Sequence, residues 1–158
     1  MVVRIIKIVV AVLVITGAAL YFIQSKTEHY RLLIIRDSDS GKVYGKWRLN
    51  ADGEFSIEFV HSVHQSPVRE TFRAENGMIS PVRVRFISFG AGMQSDLEEG
   101  QSIIRDGEFL VITGYKASYK KLNYIVGTVS DHILFINDEN IILRELCGRN
   151  AHISIMTK

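Results

Sequence analysis

Histidine and glutamate side chains occupy apolar positions in one predicted β-hairpin, where they could carry out acid–base chemistry or bind a metal ion. Residues 54–61 alternate apolar and polar, so His61 extends the apolar face of that strand. Residues 68–75 alternate in the same way and place the Glu70 carboxylate between hydrophobic neighbours. If His61 lies opposite Val68 in the hairpin, it is diagonal to Glu70 on the buried side. We therefore predict a buried pair of His61 and Glu70.

A metal site could be built from histidine and carboxylate ligands of the same region. The weak candidates are His61, His64, Glu70 and His132, since imidazole and carboxylate suit zinc or a similar ion. Residues three apart in a strand point to opposite faces, so His61 and His64 converge only if residues 62–67 form a loop, which their Ser-Pro step permits. We favour the structural alternative, in which His61 and Glu70 fix the hairpin and His64 is solvated.

A serine hydrolase site could also be assembled. Ser62 or Ser88 would be the nucleophile. His61 or His132 would be the base, and Glu70 would orient it. The sequence has no Gly-x-Ser-x-Gly turn, and nothing identifies an oxyanion hole. Enzymatic activity is therefore an open question in which we favour a role without catalysis, and no cofactor is predicted.

The Gly-Ala-Gly segment at residues 90–92 could bring backbone amides close to an anion or a partner chain, because glycine permits positive φ and close approach. Asp96, Glu98 and Glu99 follow it and would repel phosphate. A structural bend at the end of a strand is the interpretation that we favour.

The stretch from Ile5 to Ile23 is long and apolar enough to cross a membrane. Its only charge is Lys7, and its 19 residues would span about 28 Å as a helix, close to the ~30 Å hydrocarbon thickness. Arg4 and Lys7 favour a cytoplasmic N-terminus, which places the rest of the chain outside. We predict a single-pass cell-membrane protein with an anchor over 1–23, a linker over 24–30 and an extracytoplasmic β-domain over 31–158.

A cleaved signal peptide is the alternative for this segment. Arg4 and Lys7 would form its basic region, and the small residues of 16–19 would offer a cleavage site. The apolar run continues through residues 20–23, where a processed protein would normally have become polar, so we favour a retained anchor.

Charge and cysteine content exclude several functions for the body. The formal net charge of +2 comes from the first 30 residues, and residues 31–158 carry 16 basic and 16 acidic side chains. A body without net positive charge gives no indication of nucleic-acid binding. Cys147 is the sole cysteine, so the chain forms no intrachain disulfide and no cysteine-based zinc site.

Short β-rich runs separated by turn residues fill the body and predict an antiparallel β-sandwich or a partly closed barrel. The predicted strands are Tyr30–Arg36, Val43–Leu49, Glu54–His61, Val68–Glu75, Ile79–Phe89, Glu108–Tyr115, Asn123–Val129, His132–Asn137, Ile141–Leu146 and His152–Met156. The one candidate helix is Ser95–Ile103, where a Ser-x-x-Glu pattern resembles a capping box.

Four short motifs stand out in the predicted domain. They are His61-Ser62-Val63, Pro67-Val68 with Glu70, Ser88 with Gly90-Ala91-Gly92-Met93, and His132 before an apolar strand. Together they resemble the bacterial domain of unknown function 1850 (DUF 1850) family. Such proteins are typically encoded beside tripartite ATP-independent periplasmic (TRAP) transporters of the TAXI type, so the resemblance implies an accessory role near a permease or its solute receptor. Gln94 departs from the family pattern, which commonly has proline there.

The sequence thus predicts a membrane-anchored extracytoplasmic module with an accessory or binding role. The alternative is a metal-dependent or serine-type hydrolase of the cell envelope, and direct capture of a solute is a third possibility. A cluster open to solvent would favour an enzyme, and a sealed cluster would favour a scaffold. The candidate binding or structural residues are His61, Ser62, Pro67, Glu70, Ser88, Gly90, Gly92 and His132.

Overall fold

Two antiparallel β-sheets make up the part of the chain that follows Tyr30. The computed structural model describes residues 16, 31–63, 65–89, 96–127 and 130–158. Internal contacts separate the chain into Met1–Tyr30 and Arg31–Lys158. The predicted anchor and linker lie outside the described residues, apart from Thr16. Within the described part, no helix is long and apolar enough to cross a membrane.

Eleven strands occur in the described residues. They are β1 (Leu32–Asp37), β2 (Val43–Arg48), β3 (Glu54–Val60), β4 (Pro67–Glu75), β5 (Met78–Phe86), β6 (Ser102–Asp106), β7 (Phe109–Thr113), β8 (Leu122–Ile125), β9 (Ile133–Ile136), β10 (Glu139–Ile142) and β11 (His152–Thr157). The smaller sheet has the order β2-β1-β11-β8, and the larger sheet has the order β10-β9-β3-β4-β5-β7-β6. The prediction of an antiparallel all-β body is confirmed, and the described residues form two sheets rather than a closed barrel.

The hydrophobic core lies between the two sheets and follows from the alternation of apolar residues along the strands. β1 and β11 of the smaller sheet contribute Ile35 and Ile155, and β3 and β4 of the larger sheet contribute Ile57 and Phe72. Fully burying a side chain of this size contributes roughly 1.5–3 kcal/mol. Glu70 is two residues before Phe72, so it shares this strand face and the core surrounds its carboxylate with apolar groups.

Strand register brings several connections to one end of the sheets. β3 ends and β4 begins there, because Val60 pairs with Pro67. β5 ends there as well, since Arg85 lies opposite Arg69 near the start of β4. Ser130, between β8 and β9, donates its hydroxyl to the Val60 carbonyl at 3.2 Å. We call this the motif end, and its described residues are 60–63, 65, 66, 87–89, 125–127 and 130–132.

β6 replaces part of the helix that was predicted over Ser95–Ile103. None of the described residues of that segment is helical, and Ser102 and Ile103 lie in β6. A two-residue turn then joins β6 to β7, because Asp106 pairs with Phe109. Gly107 is the first residue of this turn and has a φ of +63°, a conformation that two-residue hairpin turns need and that glycine adopts readily. The Asp106-Gly107 pair was not recognised in the sequence as a hairpin signal, and this turn places β6 beside β7.

A short helix, α1 (Leu143–Cys147), replaces most of the strand that was predicted over Ile141–Leu146. β10 pairs with β9 and ends at Ile142. The Leu-Arg-Glu-Leu sequence that follows consists of strong helix formers. Gly148 ends the helix with a φ of +94°, as glycine commonly does.

Candidate functional site

The β3–β4 hairpin carries Glu70 and closes in a tight loop. His61 donates its backbone N–H to the Ser66 carbonyl at 2.9 Å, and Gln65 donates its backbone N–H to the His61 carbonyl at 2.8 Å. Gln65 has a φ of +48°, and its side-chain amide donates to the Ser62 carbonyl at 2.5 Å. These bonds position the strand that follows the loop.

The register of this hairpin differs by two residues from the prediction. Ile57, rather than Phe59, lies opposite Glu70, and His61 lies opposite Ser66. An even shift leaves every side chain on its predicted face, so Glu70 does face the interior. His61, however, is four positions beyond Ile57, which is about 13 Å along a strand at ~3.3 Å per residue. The predicted diagonal pair of His61 and Glu70 is therefore wrong.

The partner of Glu70 is a tyrosine of the other sheet. Tyr124 in β8 donates its hydroxyl to Glu70 Oε2 at 2.7 Å. Leu122 and Tyr124 share the inner face of β8, while Asn123 and Ile125 are exposed on its outer face. Tyrosine suits this place because its ring packs in the core while its hydroxyl satisfies a polar group.

Burial governs the protonation of this pair. It raises the pKa of Glu70 above its usual value, and the hydrogen bond from Tyr124 partly opposes that increase. Burial, and then the negative charge of Glu70, also raise the pKa of Tyr124, so its hydroxyl stays protonated and acts as a donor. The pKa of Tyr115 is raised to about 12, by burial and by the charges of Glu70 and Glu98. Glu70 is therefore hydrogen-bonded to one neutral phenol, Tyr124, and lies near enough to a second, Tyr115, for its charge to act there.

His132 completes the cluster. Its ring stacks on Phe59 with centroids 5.4 Å apart and meets Tyr124 edge-on at 6.0 Å. The Gly127 backbone N–H donates to His132 Nδ1 at 3.2 Å. Burial lowers the pKa of His132, although the charge of Asp131 opposes this. The imidazole is thus neutral near pH 7, with Nδ1 as acceptor and its proton on Nε2.

Local contacts explain why the β8–β9 connection holds His132 in place. A Cβ at Gly127 would come within 2.5 Å of the Ser130 carbonyl oxygen, so the chain can close here only with glycine. On the other side, Arg144 of α1 donates to Asp131 Oδ2 at 3.0 Å, and its Nε lies 2.8 Å from Oδ1. The His132 carbonyl accepts the N–H of Leu143 at 2.8 Å.

Residues 55–143 match the family described as Domain of unknown function (DUF1850). The chain belongs to the DUF1850 family. The matched range contains Glu70, Tyr124 and His132, so the whole internal cluster lies in the DUF1850 region. No curated protein and no solved structure matches the chain.

The other DUF1850 motif residues have different surroundings. Ser62 and Ser88 are exposed on different connections. Pro67 is the first residue of β4, a position that tolerates its missing N–H. The residues that lie outside the described part of the chain are His64, Gly90 and Gly92.

The DUF1850 cluster is held by one hydrogen bond and by ring packing. Among the described residues, no three His, Cys, Asp or Glu side chains converge as metal ligands. A base for a serine nucleophile needs a ring nitrogen with a free lone pair, and the one on His132 Nδ1 already accepts the backbone N–H of Gly127. Among the described residues, His132 forms no hydrogen bond with Ser62 or Ser88, the two predicted nucleophiles.

Large apolar side chains are exposed at the motif end of the DUF1850 region. The exposed fraction is 39% for Val60, 63% for Val63, 45% for Phe89 and 59% for Ile125. We call these four residues the apolar rim. A single exposed apolar side chain is ordinary, and Val60 and Ile125 lie on the outer faces of different sheets. Val63 and Phe89, both on connections, are the members suited to a shared contact surface. Alternation of residue types did not reveal this rim, because all four of its members lie at or beyond the end of a strand.

Proposed function

We propose that the protein is a membrane-anchored extracytoplasmic binding module without catalytic activity, which acts as an accessory of a TRAP-type permease or of its solute receptor. The apolar stretch before residue 24 is the anchor, and residues 31–158 are the module. The link to the transporter rests on the family resemblance, and the binding role rests on the site.

The motif end is the observation that carries the binding role. Between the sheets next to it, Glu70 and Tyr124 satisfy one another and tie the two sheets together. On its surface, Val63 and Phe89 of the apolar rim lie on connections that bear family motifs. Loops supported by a rigid pair of sheets are a common place for binding sites.

The charge balance supports an apolar contact rather than electrostatic attraction. Residues 31–158 carry equal numbers of basic and acidic side chains, so no net charge steers a partner to the domain. Buried aromatic and aliphatic anchors dominate the energy of many protein interfaces. The Phe89 ring packs edge-on against Phe86 at 5.2 Å, which holds it ready for such a contact.

Site-specific photo-crosslinking in native membranes tests this proposal. A photoreactive amino acid at Val63, in membranes that contain the permease and its receptor, should form a crosslink to one of them. The matched control is Tyr119, which is also exposed but bridges to Ile79 at the start of β5, at the opposite end of the domain. Crosslinks of equal yield from both positions, or none from Val63, would contradict the proposal.

A loss-of-contact variant separates binding from folding. Phe89→Ala should lower the crosslink yield from Val63 while the melting temperature stays close to wild type, because the Phe89 ring is 45% exposed. Tyr119→Ala should change neither the yield nor the melting temperature appreciably.

A further inference from the structure

The outer face of the larger sheet carries two arginines on neighbouring strands. Arg69 in β4 lies directly opposite Arg85 in β5, on the face away from Glu70. Side chains in such positions have Cβ atoms about 4.5–5.5 Å apart, and like charges there oppose folding. Each of these two positive charges has a carboxylate near it, Glu58 for Arg69 and Asp106 for Arg85.

Aromatic rings hold both guanidinium groups in place. The Cζ atom of Arg69 lies 3.8 Å from the ring centroid of Phe135, and that of Arg85 lies 3.6 Å from the ring centroid of Phe109. Contacts of this kind attract a cation to the ring face. Each guanidinium group is thus held in a fixed position by its own aromatic ring.

The two arginines differ in how their donors are used. Arg69 donates its Nε–H to Glu58 Oε2 at 2.8 Å. The Nε of Arg85 is buried and has no hydrogen-bond partner among the described residues. An oxygen of Asp106 lies 3.9 Å from this nitrogen, which is too far for a hydrogen bond. This nitrogen is closed to solvent, but the Arg85 side chain as a whole is 40% exposed. Its terminal N–H groups make no hydrogen bond among the described residues, so they are the donors that an acceptor from outside can reach.

A cavity of 90 Å³ lies between these arginines. Its lining consists of Glu58, Pro67, Arg69, Arg85 and Phe109. The arginines supply donors, while the proline and phenylalanine rings supply apolar surface. This volume suits a small group with a charged end and a short hydrocarbon part.

We propose that the cavity binds the carboxylate of a small organic acid, with the terminal N–H groups of Arg85 donating to one carboxylate oxygen and Arg69 facing the other. The planar fork of a guanidinium group matches a carboxylate. The formal charges of the two arginines cancel those of Glu58 and Asp106, so the site accommodates a monoanion more readily than a doubly charged phosphate. Pro67 of its lining pairs with the β3 member of the apolar rim, but this site does not depend on the proposed function.

An NMR titration of the full-length chain in detergent micelles with acetate tests the site. The Arg85 Nε–H and the Phe109 backbone amide should shift in a saturable manner. Arg85→Lys keeps the charge but removes the fork, and we expect acetate affinity to fall roughly tenfold to a hundredfold, the loss of one charge-assisted hydrogen bond. The matched control is Arg83→Lys, two residues earlier on the same face, where the guanidinium lies 3.3 Å from Glu54. This control should bind acetate as wild type does.

Each outcome decides the assignment. A saturable shift that Arg85→Lys weakens and Arg83→Lys preserves supports the site. An equal loss of acetate affinity in both variants would mean that the positive face attracts anions in general, and this result would overturn the site. Tighter binding of inorganic phosphate than of acetate would overturn the carboxylate assignment, and the absence of any saturable shift would overturn the site itself.

Discussion

Tyr124 donates its hydroxyl to Glu70 at 2.7 Å and thereby joins the smaller sheet to the larger one beside their apolar core. In this bond a partly buried carboxylate accepts and a partly buried phenol donates. Because both groups have lost much of their contact with water, changes to either should affect stability and its dependence on pH.

Glu70 should make the folded state more stable in acid than at neutral pH. Burial raises its pKa above the usual 4.5, so the folded state binds this proton more tightly than the unfolded state does. The stabilisation is complete below pH 4.5 and is lost as the pH rises through the raised pKa of the folded state. Glu70→Gln removes this titration and still accepts a hydrogen bond from Tyr124.

Thermal unfolding across pH measures this contribution. The melting temperature of wild type should decline relative to that of Glu70→Gln as the pH rises above 4.5. Glu75→Gln, at an exposed position of the same strand, should follow wild type. Parallel profiles for wild type and Glu70→Gln would show that Glu70 titrates alike in both states.

Tyr124→Phe should lower the free energy of unfolding by ~1–3 kcal/mol, since it removes the hydroxyl that donates a hydrogen bond to Glu70 inside the domain. Urea denaturation measures the change. Combined with Glu70→Gln, it should be non-additive, with a coupling of ~0.5–3 kcal/mol. Tyr119→Phe is the control, because its side chain is 46% exposed. A Tyr124→Phe protein as stable as the Tyr119→Phe control would mean that the bond between the sheets is not stabilising.

His61→Ala and Glu70→Gln should be additive in urea denaturation. The hairpin register separates the two residues by about 13 Å, and sites more than about 7–10 Å apart usually act independently. A coupling above ~0.5 kcal/mol would restore the contact that the register rules out.

Gly53→Ala should destabilise the domain more than Gly77→Ala. Both glycines have positive φ, +68° and +74°, so alanine is strained at either position. At Gly53 a Cβ would also come within 2.6 Å of the Ala74 carbonyl, whereas at Gly77 it would meet open space. We expect a cost of about 1 kcal/mol at Gly77 and a larger one at Gly53, measured by thermal unfolding. Equal costs would mean that the turn at Gly53 relaxes away from Ala74.

Labelling with an impermeant thiol reagent tests on which side of the membrane residues 31–158 lie. In the Cys147→Ser background, a cysteine at exposed Asp138 in the β9–β10 turn should be labelled in intact cells or spheroplasts. Burial raises the pKa of the Cys147 thiol to about 11, so its replacement removes a poorly reactive background. Labelling that needs lysis would place residues 31–158 in the cytoplasm instead.

Alternation in the sequence predicted which residues face the core but not how strands align. Glu70 and His132 were predicted as site residues, and both belong to the internal cluster. The hairpin register was two residues off because Pro67 was assigned to the loop, whereas it is tolerated as the first residue of β4. Face assignment survives such an even shift, and contact assignment does not.

Tyr124 was missed because its role depends on packing between sheets. β8 and β4 belong to different sheets, so no periodicity in the sequence brings them together. A buried carboxylate does imply a donor, and a tyrosine on the inner face of a strand is a suitable one. The pairing itself required the three-dimensional arrangement.

The order in which the strands are made differs from the order in which they pair. Leu33 of β1 pairs with Thr157 of β11, and β11 is also the strand that links β1 to β8 in the smaller sheet. During biosynthesis, the backbone N–H and C=O groups on that side of β1 therefore stay without their partners until β11 has been made. A nascent chain that stalls before His152 would expose one long side of β1 to other chains and to proteases.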